Sequence, residues 1–241
     1  MQQVIFGHFE RSGGVRYGVS DRSHGSMRPE SDGFVSNRNR FFSDCKLPEK
    51  RFWQVKQVHG KTVVSVSSLQ EAIPEADGMI TKKTNLTMGI VTADCVPIFI
   101  YDPKNRLAGV VHAGWKGIVQ GIVAEAVVRT HQAGSKPQNL LIGIGPSIGN
   151  CCYNVDAVRV EEFKRALGGS VVAKGIQRKG TSWYLSLQSV ITNELRQLGI
   201  KRENIEDCAI CTACESEKYF SFRKAADRTM FGEFLSAISL V

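Results

Sequence analysis

Strand-like and helix-like patterns alternate along the chain. Residues 52–58, FWQVKQV, alternate bulky and polar side chains with the period of two expected of a strand, and KTVVSV continues it after His59-Gly60. LTMGIVTADC and VPIFIYD are apolar, β-branched runs divided at Asp94-Cys95. LAGVVHAG ends at a glycine turn, and NLLIGIG is a short buried strand that stops at Gly145-Pro146. Between these two, Ile118, Ile122 and Ala126 and the parallel series Val119, Val123 and Val127 predict one helix over 116–132. Residues 156–167 predict a helix capped by Asp156, and 185–198 a second, amphipathic helix ended by Gly199. The tail, FSFRK and then FGEFLSAISLV, fits strand or helix, and 21–33 is the most loop-like stretch. With no repeat, low-complexity tract or Pro/Ser linker, a single α/β domain over 1–241 is expected.

Composition narrows the class. Of 241 residues, 42% are apolar and 22% charged, which excludes a disordered or fibrous chain. No secretory signal and no run long enough to span a bilayer is visible, so a cytoplasmic protein with reduced thiols and no membrane partner is expected. The seven cysteines are an odd number and cannot all pair within one chain. The net charge is +8, with 11 Lys/Arg against 6 Asp/Glu in the first 61 residues. These cations come singly among Gly, Ser and acids. That spacing reads as a solvated surface or a small-anion pocket, not a nucleic-acid site.

Three residues stand out by position. His59, Cys95 and His112 each lie where a strand gives way to a turn, the place where α/β folds build sites. A thiolate and two imidazoles suit Zn²⁺ with the fourth tetrahedral position open, the mark of catalytic zinc. The same residues would also serve a Cys–His hydrolase with Cys95 as nucleophile. Their spacings, 36 and 17, match no local zinc signature. Asp94 beside Cys95 is placed either to orient a ligand and accept a proton or to shape a turn. Gly114-Trp115-Lys116-Gly117 opens a helix and offers N–H groups and Lys116 to an anion. Asn37-Arg38 and Arg40 supply guanidinium forks in the basic first quarter. Cys208, Cys211 and Cys214 form C-x2-C-x2-C without the fourth cysteine of an iron–sulfur run, and read as free thiols. Cys151-Cys152 follows a small-residue stretch that reads as close loop packing.

Taken together, QVHG (57–60), ADGMIT (76–81), TADCVPIFIYDP (92–103), GVVHAGWKG (109–117), IGPSIGNCCYNV (144–155) and CTACESEKYFSFRK (211–224) resemble the YfiH family. That family has also been labelled multicopper polyphenol oxidase (laccase domain) and related to peptidoglycan editing. The resemblance implies an α/β/β/α sandwich of mixed sheets, a fold shared with toxin deamidases that use a Cys–His pair. It implies His59, Cys95 and His112 as ligands of zinc. It further implies purine nucleoside phosphorylase activity on adenosine, inosine, guanosine and methylthioadenosine, together with adenosine deaminase activity. In this family an Asn-Arg pair upstream of QVHG lines the nucleoside site, and Asn37-Arg38 matches it. Phosphate positioning then falls to Arg38 with Arg223 or Lys116. A peptide or cell-wall amidase is the alternative. Copper is the weaker choice, because three ligands make one mononuclear site and the chain has only five histidines. The family's Thr-Gly-Arg motif is missing near Thr229, which predicts weaker phosphate or substrate contact there.

Overall fold

The computed structural model describes residues 4–67, 73–228 and 231–241. The strands, in chain order, are β1 (Val15–Val19), β2 (Phe52–Gln54), β3 (Val63–Ser65), β4 (Gly78–Thr81), β5 (Thr87–Thr92), β6 (Val96–Asp102), β7 (Leu107–Ala113), β8 (Leu141–Ile144), β9 (Asn154–Val155), β10 (Ile176–Lys179), β11 (Ser182–Leu185), β12 (Ile205–Asp207) and β13 (Phe234–Leu240). The helices are α1 (Gly7–Ser12), α2 (Phe34–Asp44), α3 (Trp115–Gln120), α4 (Ile122–Gln132), α5 (Ala157–Leu167), α6 (Gly169–Val172) and α7 (Leu187–Gln197). A six-stranded mixed sheet has the order β12-β8-β6-β7-β4-β3, a four-stranded one β1-β13-β5-β2, and a small third sheet β10-β11-β9.

Period-two side chains sort these sheets into layers. Phe99 and Tyr101 of β6 and Ala108 and Val110 of β7 pack against Met88 and Ile90 of β5 and Phe234 and Ile238 of β13, forming the core between the two large sheets. Their alternates Ile98, Ile100 and Val111 face the other way, onto Ile118, Ile122, Ala126, Val190 and Ile191 of α3, α4 and α7. On the outer side of the four-stranded sheet, Val91, Leu235 and Ala237 meet Phe41 and Phe42 of α2. The result is the expected α/β/β/α sandwich. Strands buried on both faces carry no polar alternation, which explains why β5, β6 and β7 are continuous apolar runs. Truncating fully buried Phe99 to Ala costs about 3–5 kcal/mol.

Several predicted boundaries shift. The helix expected over 116–132 is two helices, because Gly121 at φ 94° ends α3 and starts α4. Asp156 does cap α5, accepting the Arg159 N–H, and Gly199 follows α7, but Leu185 ends β11 instead of starting the helix. β2 stops at Gln54, and Lys56 beyond it forms an isolated bridge with Glu75 in place of further pairing with β5. The ambiguous tail resolves into turns at 222–224 and the strand β13. Among the described residues, no helix is long and apolar enough to cross a membrane.

Candidate metal centre

The site forms where the chain passes between the sheets. His59 lies on the crossover from β2 in the four-stranded sheet to β3 in the six-stranded one, and Cys95 on the crossover from β5 to β6. β2 and β5 run parallel, so both crossovers leave from the same end. Val96 pairs with Ala113 and Pro97 with His112, which brings the end of β7 alongside Cys95. Gln57 fixes the first crossover: its amide donates to the Val91 carbonyl and accepts the Val91 N–H, both at 2.8 Å.

One donor atom from each of His59, Cys95 and His112 lies within 4.8 Å of the others. Cys95 Sγ is 3.9 Å from His59 Nε2, and the two imidazoles meet edge to face at 4.7 Å. The arrangement is held by Asp77, which is fully buried at the head of β4. Its Oδ1 pairs with His112 Nδ1 at 2.8 Å and accepts the His59 N–H at 2.9 Å. Its Oδ2 accepts the Gly60 N–H at 2.7 Å and the Val58 N–H at 3.3 Å. These bonds keep His59 at φ 57°, a left-handed conformation disfavoured outside glycine. They also leave Nε2 of His112 free for the site, the orientation that a ligating imidazole needs.

The electrostatics follow from this packing. Burial raises the Asp77 pKa, but hydrogen bonds from His112, Gly60 and His59 outweigh it and hold the carboxylate below its ordinary value. Burial likewise raises Cys95, yet the positive charge of His112 and bonds from both imidazoles bring its pKa down to about 7. His112 moves the opposite way. Desolvation lowers its pKa, and the neighbouring thiolate and Asp77 raise it. A thiolate facing two imidazoles is a donor set that a soft divalent cation can take over by displacing one imidazolium proton. Gly114 keeps the centre open: a Cβ there would lie 3.0 Å from the His59 ring and 3.1 Å from Cys95 Sγ. Gly117 lets α3 pack down, since a Cβ would meet the Gly60 carbonyl at 2.7 Å.

The centre opens into a cleft of about 1660 Å³ lined by Arg28, Arg38, Arg159, Arg223 and Arg228 and by the rings of Phe52, Trp115, Tyr153, Phe222 and Phe231. Arg38 reaches it from α2, with its guanidinium 5.1 Å from the Phe52 ring. Arg223 lies 5.3 Å from the Tyr153 ring. Three expected residues take other positions. Asn37, one position along α2, turns away and donates to the Ser26 carbonyl at 3.0 Å. Lys116 is exposed and does not line the cleft, because α3 turns Trp115 inward in its place. Asp94 touches the cleft but orients neither imidazole. Its carboxylate is consumed by the Thr212 hydroxyl at 2.6 Å and the Arg223 N–H at 2.7 Å, so it braces a loop. The missing motif at Thr229 lies outside the described residues.

Sequence reasoning passed over Asp77, although ADGMIT contains it. The available signal was an acid heading an apolar strand, which is costly unless paired. Arg159 and Glu233 also line the cleft, and nothing in their local sequence marks them.

Comparison with known proteins shows the family and the fold. Residues 6–241 match the family model described as multi-copper polyphenol oxidoreductase laccase. The chain is 30% identical to a purine nucleoside phosphorylase, YlmD, of Bacillus subtilis, over 99% of this chain and 89% of that protein. It is 31% identical to the purine nucleoside phosphorylase YfiH of Shigella flexneri, over 87% of this chain and 82% of the relative. The crystal structure of Bacillus licheniformis YfiH superposes with a TM-score of 0.85 at 26% identity, covering 99% and 96% of the two chains. YlmD of Geobacillus stearothermophilus gives 0.83 at 26%, covering 95% and 92%. With the family model matched over residues 6–241, and with its layers and nearly its whole length in common with these proteins, the chain belongs to the multi-copper polyphenol oxidoreductase laccase family, whose members here carry the names YfiH and YlmD.

Proposed function

We propose that the chain, with residues 1–241 as one catalytic unit, is a zinc-dependent purine nucleoside phosphorylase with adenosine deaminase activity at the same centre. Its substrates are purine nucleosides and phosphate, and it works in the reducing cytoplasm. The supporting observation is the soft, three-donor set of His59, Cys95 and His112 in a cleft walled by arginines and aromatic rings. The names of the relatives point the same way.

The donor set fits one zinc ion: Cys95 Sγ and one imidazole nitrogen each of His59 and His112 would hold it, and all three residues line the cleft. The other three histidines are engaged elsewhere: His8 with Glu206, His24 with Asp21 and Asp44, and His131 with the Ser135 carbonyl. They leave no further histidine for the several ions a multicopper oxidase requires. When bound, zinc supplies Lewis acidity beside the substrate.

The rest is the work of the protein. Ring faces of Trp115, Tyr153 and Phe52 hold the purine by stacking. Arg38 and Arg223 fork onto phosphate and orient one oxygen toward C1′ of the ribose. In phosphorolysis the new O–C1′ bond forms as C1′–N9 breaks, and the electron pair leaves with the purine. Glu233 lines the cleft, and burial raises its pKa, which suits it to hand a proton to that leaving group. Incubation with inosine, with and without phosphate, tests the reading. Absence of phosphate-dependent hypoxanthine release from a zinc-replete sample would refute it.

One observation favours a second reading. Asp77, His112 and Cys95 form a carboxylate–imidazole–thiol line with the Cys95 pKa near 7, the arrangement of a Cys–His amidase. Hydrolysis of a cell-wall peptide that survives chelation but is lost in Cys95→Ser would select it.

A further inference from the structure

We propose that Cys151, Cys152, Cys211 and Cys214 form a second metal centre, a closed tetrathiolate site for one zinc ion on the rim of the cleft. The local sequences read as loop packing and free thiols, and only the fold brings the two pairs together. Cys151-Cys152 follows the β8 exit loop, and Cys211 and Cys214 follow β12. β8 and β12 are parallel neighbours, so both loops leave the sheet at one end. Ser147 then pairs with Cys211 in an isolated bridge, and the Thr212 N–H donates to the Ser147 carbonyl at 3.1 Å.

The four Sγ atoms all lie within 4.8 Å of one another. Cys214 Sγ is 3.4 Å from that of Cys151 and 3.5 Å from that of Cys152. A tetrahedron with Zn–S bonds of ~2.3 Å has sulfur–sulfur edges of about 3.8 Å, a little longer than these two separations and inside the 4.8 Å limit that holds for all four atoms. None of the seven cysteines is in a disulfide, and an iron–sulfur cluster would spread its cysteines over several iron atoms. The Gly149 N–H donates to Cys211 Sγ at 3.2 Å, the kind of bond that supports a metal-bound thiolate. A Cβ at Gly149 would lie 3.2 Å from both Cys151 Sγ and Cys211 Cβ, so the glycine is what lets this loop close on the sulfurs. Four donors fill a tetrahedron. This centre therefore has no open position, and its role is structural.

Its place gives it a consequence. Thr212, between two of the cysteines, donates to the Asp94 carboxylate at 2.6 Å, and the Ile148 N–H donates to the Asp94 carbonyl at 3.0 Å. Both cysteine-bearing loops thus grip the residue preceding Cys95. A metal ion that joins them fixes the turn that presents Cys95 and, through Tyr153 and Arg223, the adjoining wall of the cleft.

The proposal is independent of the reaction. Elemental analysis of protein purified under reducing conditions without chelator should find two zinc ions per chain in wild type and one in Cys95→Ala. After metal stripping, Cys95→Ala titrated with Co²⁺ should take up one equivalent. The complex should show the strong sulfur-to-cobalt charge-transfer absorption and visible bands of a tetrahedral tetrathiolate, and Cys151→Ser/Cys214→Ser should not. If that double variant does not fold, the zinc count and cobalt spectrum of Cys95→Ala decide alone. A Cys95→Ala protein that holds no zinc and gives no such spectrum overturns the proposal. So does iron in place of zinc, or a disulfide among these four residues in freshly reduced wild type.

Discussion

The two cysteine centres sit at the same end of the sandwich and are built on opposite principles. The first has one thiolate and two imidazoles, gathered from two inter-sheet crossovers and the end of β7, and each histidine is held by Asp77. The second has four cysteine sulfurs on two neighbouring loops, and backbone N–H groups brace Cys211 among them. Three donors leave a vacancy where a substrate atom can approach, whereas four leave none. Donor number therefore separates a centre suited to chemistry from one suited to holding loops, although both use cysteine.

The sharpest way to break this comparison is Cys95→Ala. Its kcat/KM for inosine phosphorolysis should fall by about 10³-fold, while the tetrathiolate zinc remains. Equal loss of zinc from both centres would show that they are not separate. Asp77→Asn comes next: it keeps all three ligands but disturbs their support, and should cost about 10–100-fold in zinc affinity or activity, read by competition with a chelator. Arg223→Ala stands between the centres. The loss of its charge-assisted bond should raise KM for phosphate about tenfold with a smaller change in kcat, and Arg38→Ala should act in the same direction.

The smallest effect is on acid stability. Asp77 titrates below its ordinary value of 3.8 in the folded chain, so the stability it contributes is full above that value and is lost as pH falls through its lower folded pKa. Urea unfolding of metal-stripped protein should show this acid loss in wild type. The loss should be weaker in Asp77→Asn and unchanged in Cys151→Ser/Cys214→Ser.

Much of the first centre was legible because its candidate ligands end or follow strands whose apolar runs are unmistakable. Cys95 lies between VTA and VPIFI, and His112 closes GVV. The layered fold was legible through the motifs, and β5, β6 and β7 through their β-branched runs. What stayed hidden depends on chain reversal. Gly121 reads as a tolerated glycine within one periodic helix until its φ of 94° divides that helix. Asn37 and Arg38 are adjacent in sequence, yet a helix turns neighbours about 100° apart, so only Arg38 reaches the cleft. The second centre was hidden because its cysteine pairs, separated by 59 positions between Cys152 and Cys211, meet only through the parallel pairing of β8 and β12.

The crossovers that carry His59 and Cys95 are also two of the covalent links between the two large sheets. An ion bound there ties both sheets and the end of β7 at a single point. Separating the sheets then requires breaking metal–ligand bonds before the buried Phe99 layer is exposed to water. A metal held there would act on the unfolding barrier as well as on the equilibrium, and the escape rate of the ion would become a clock for opening of the sandwich. Metal-loaded protein should unfold in step with ion release, and stripped protein should unfold faster while refolding at a similar rate.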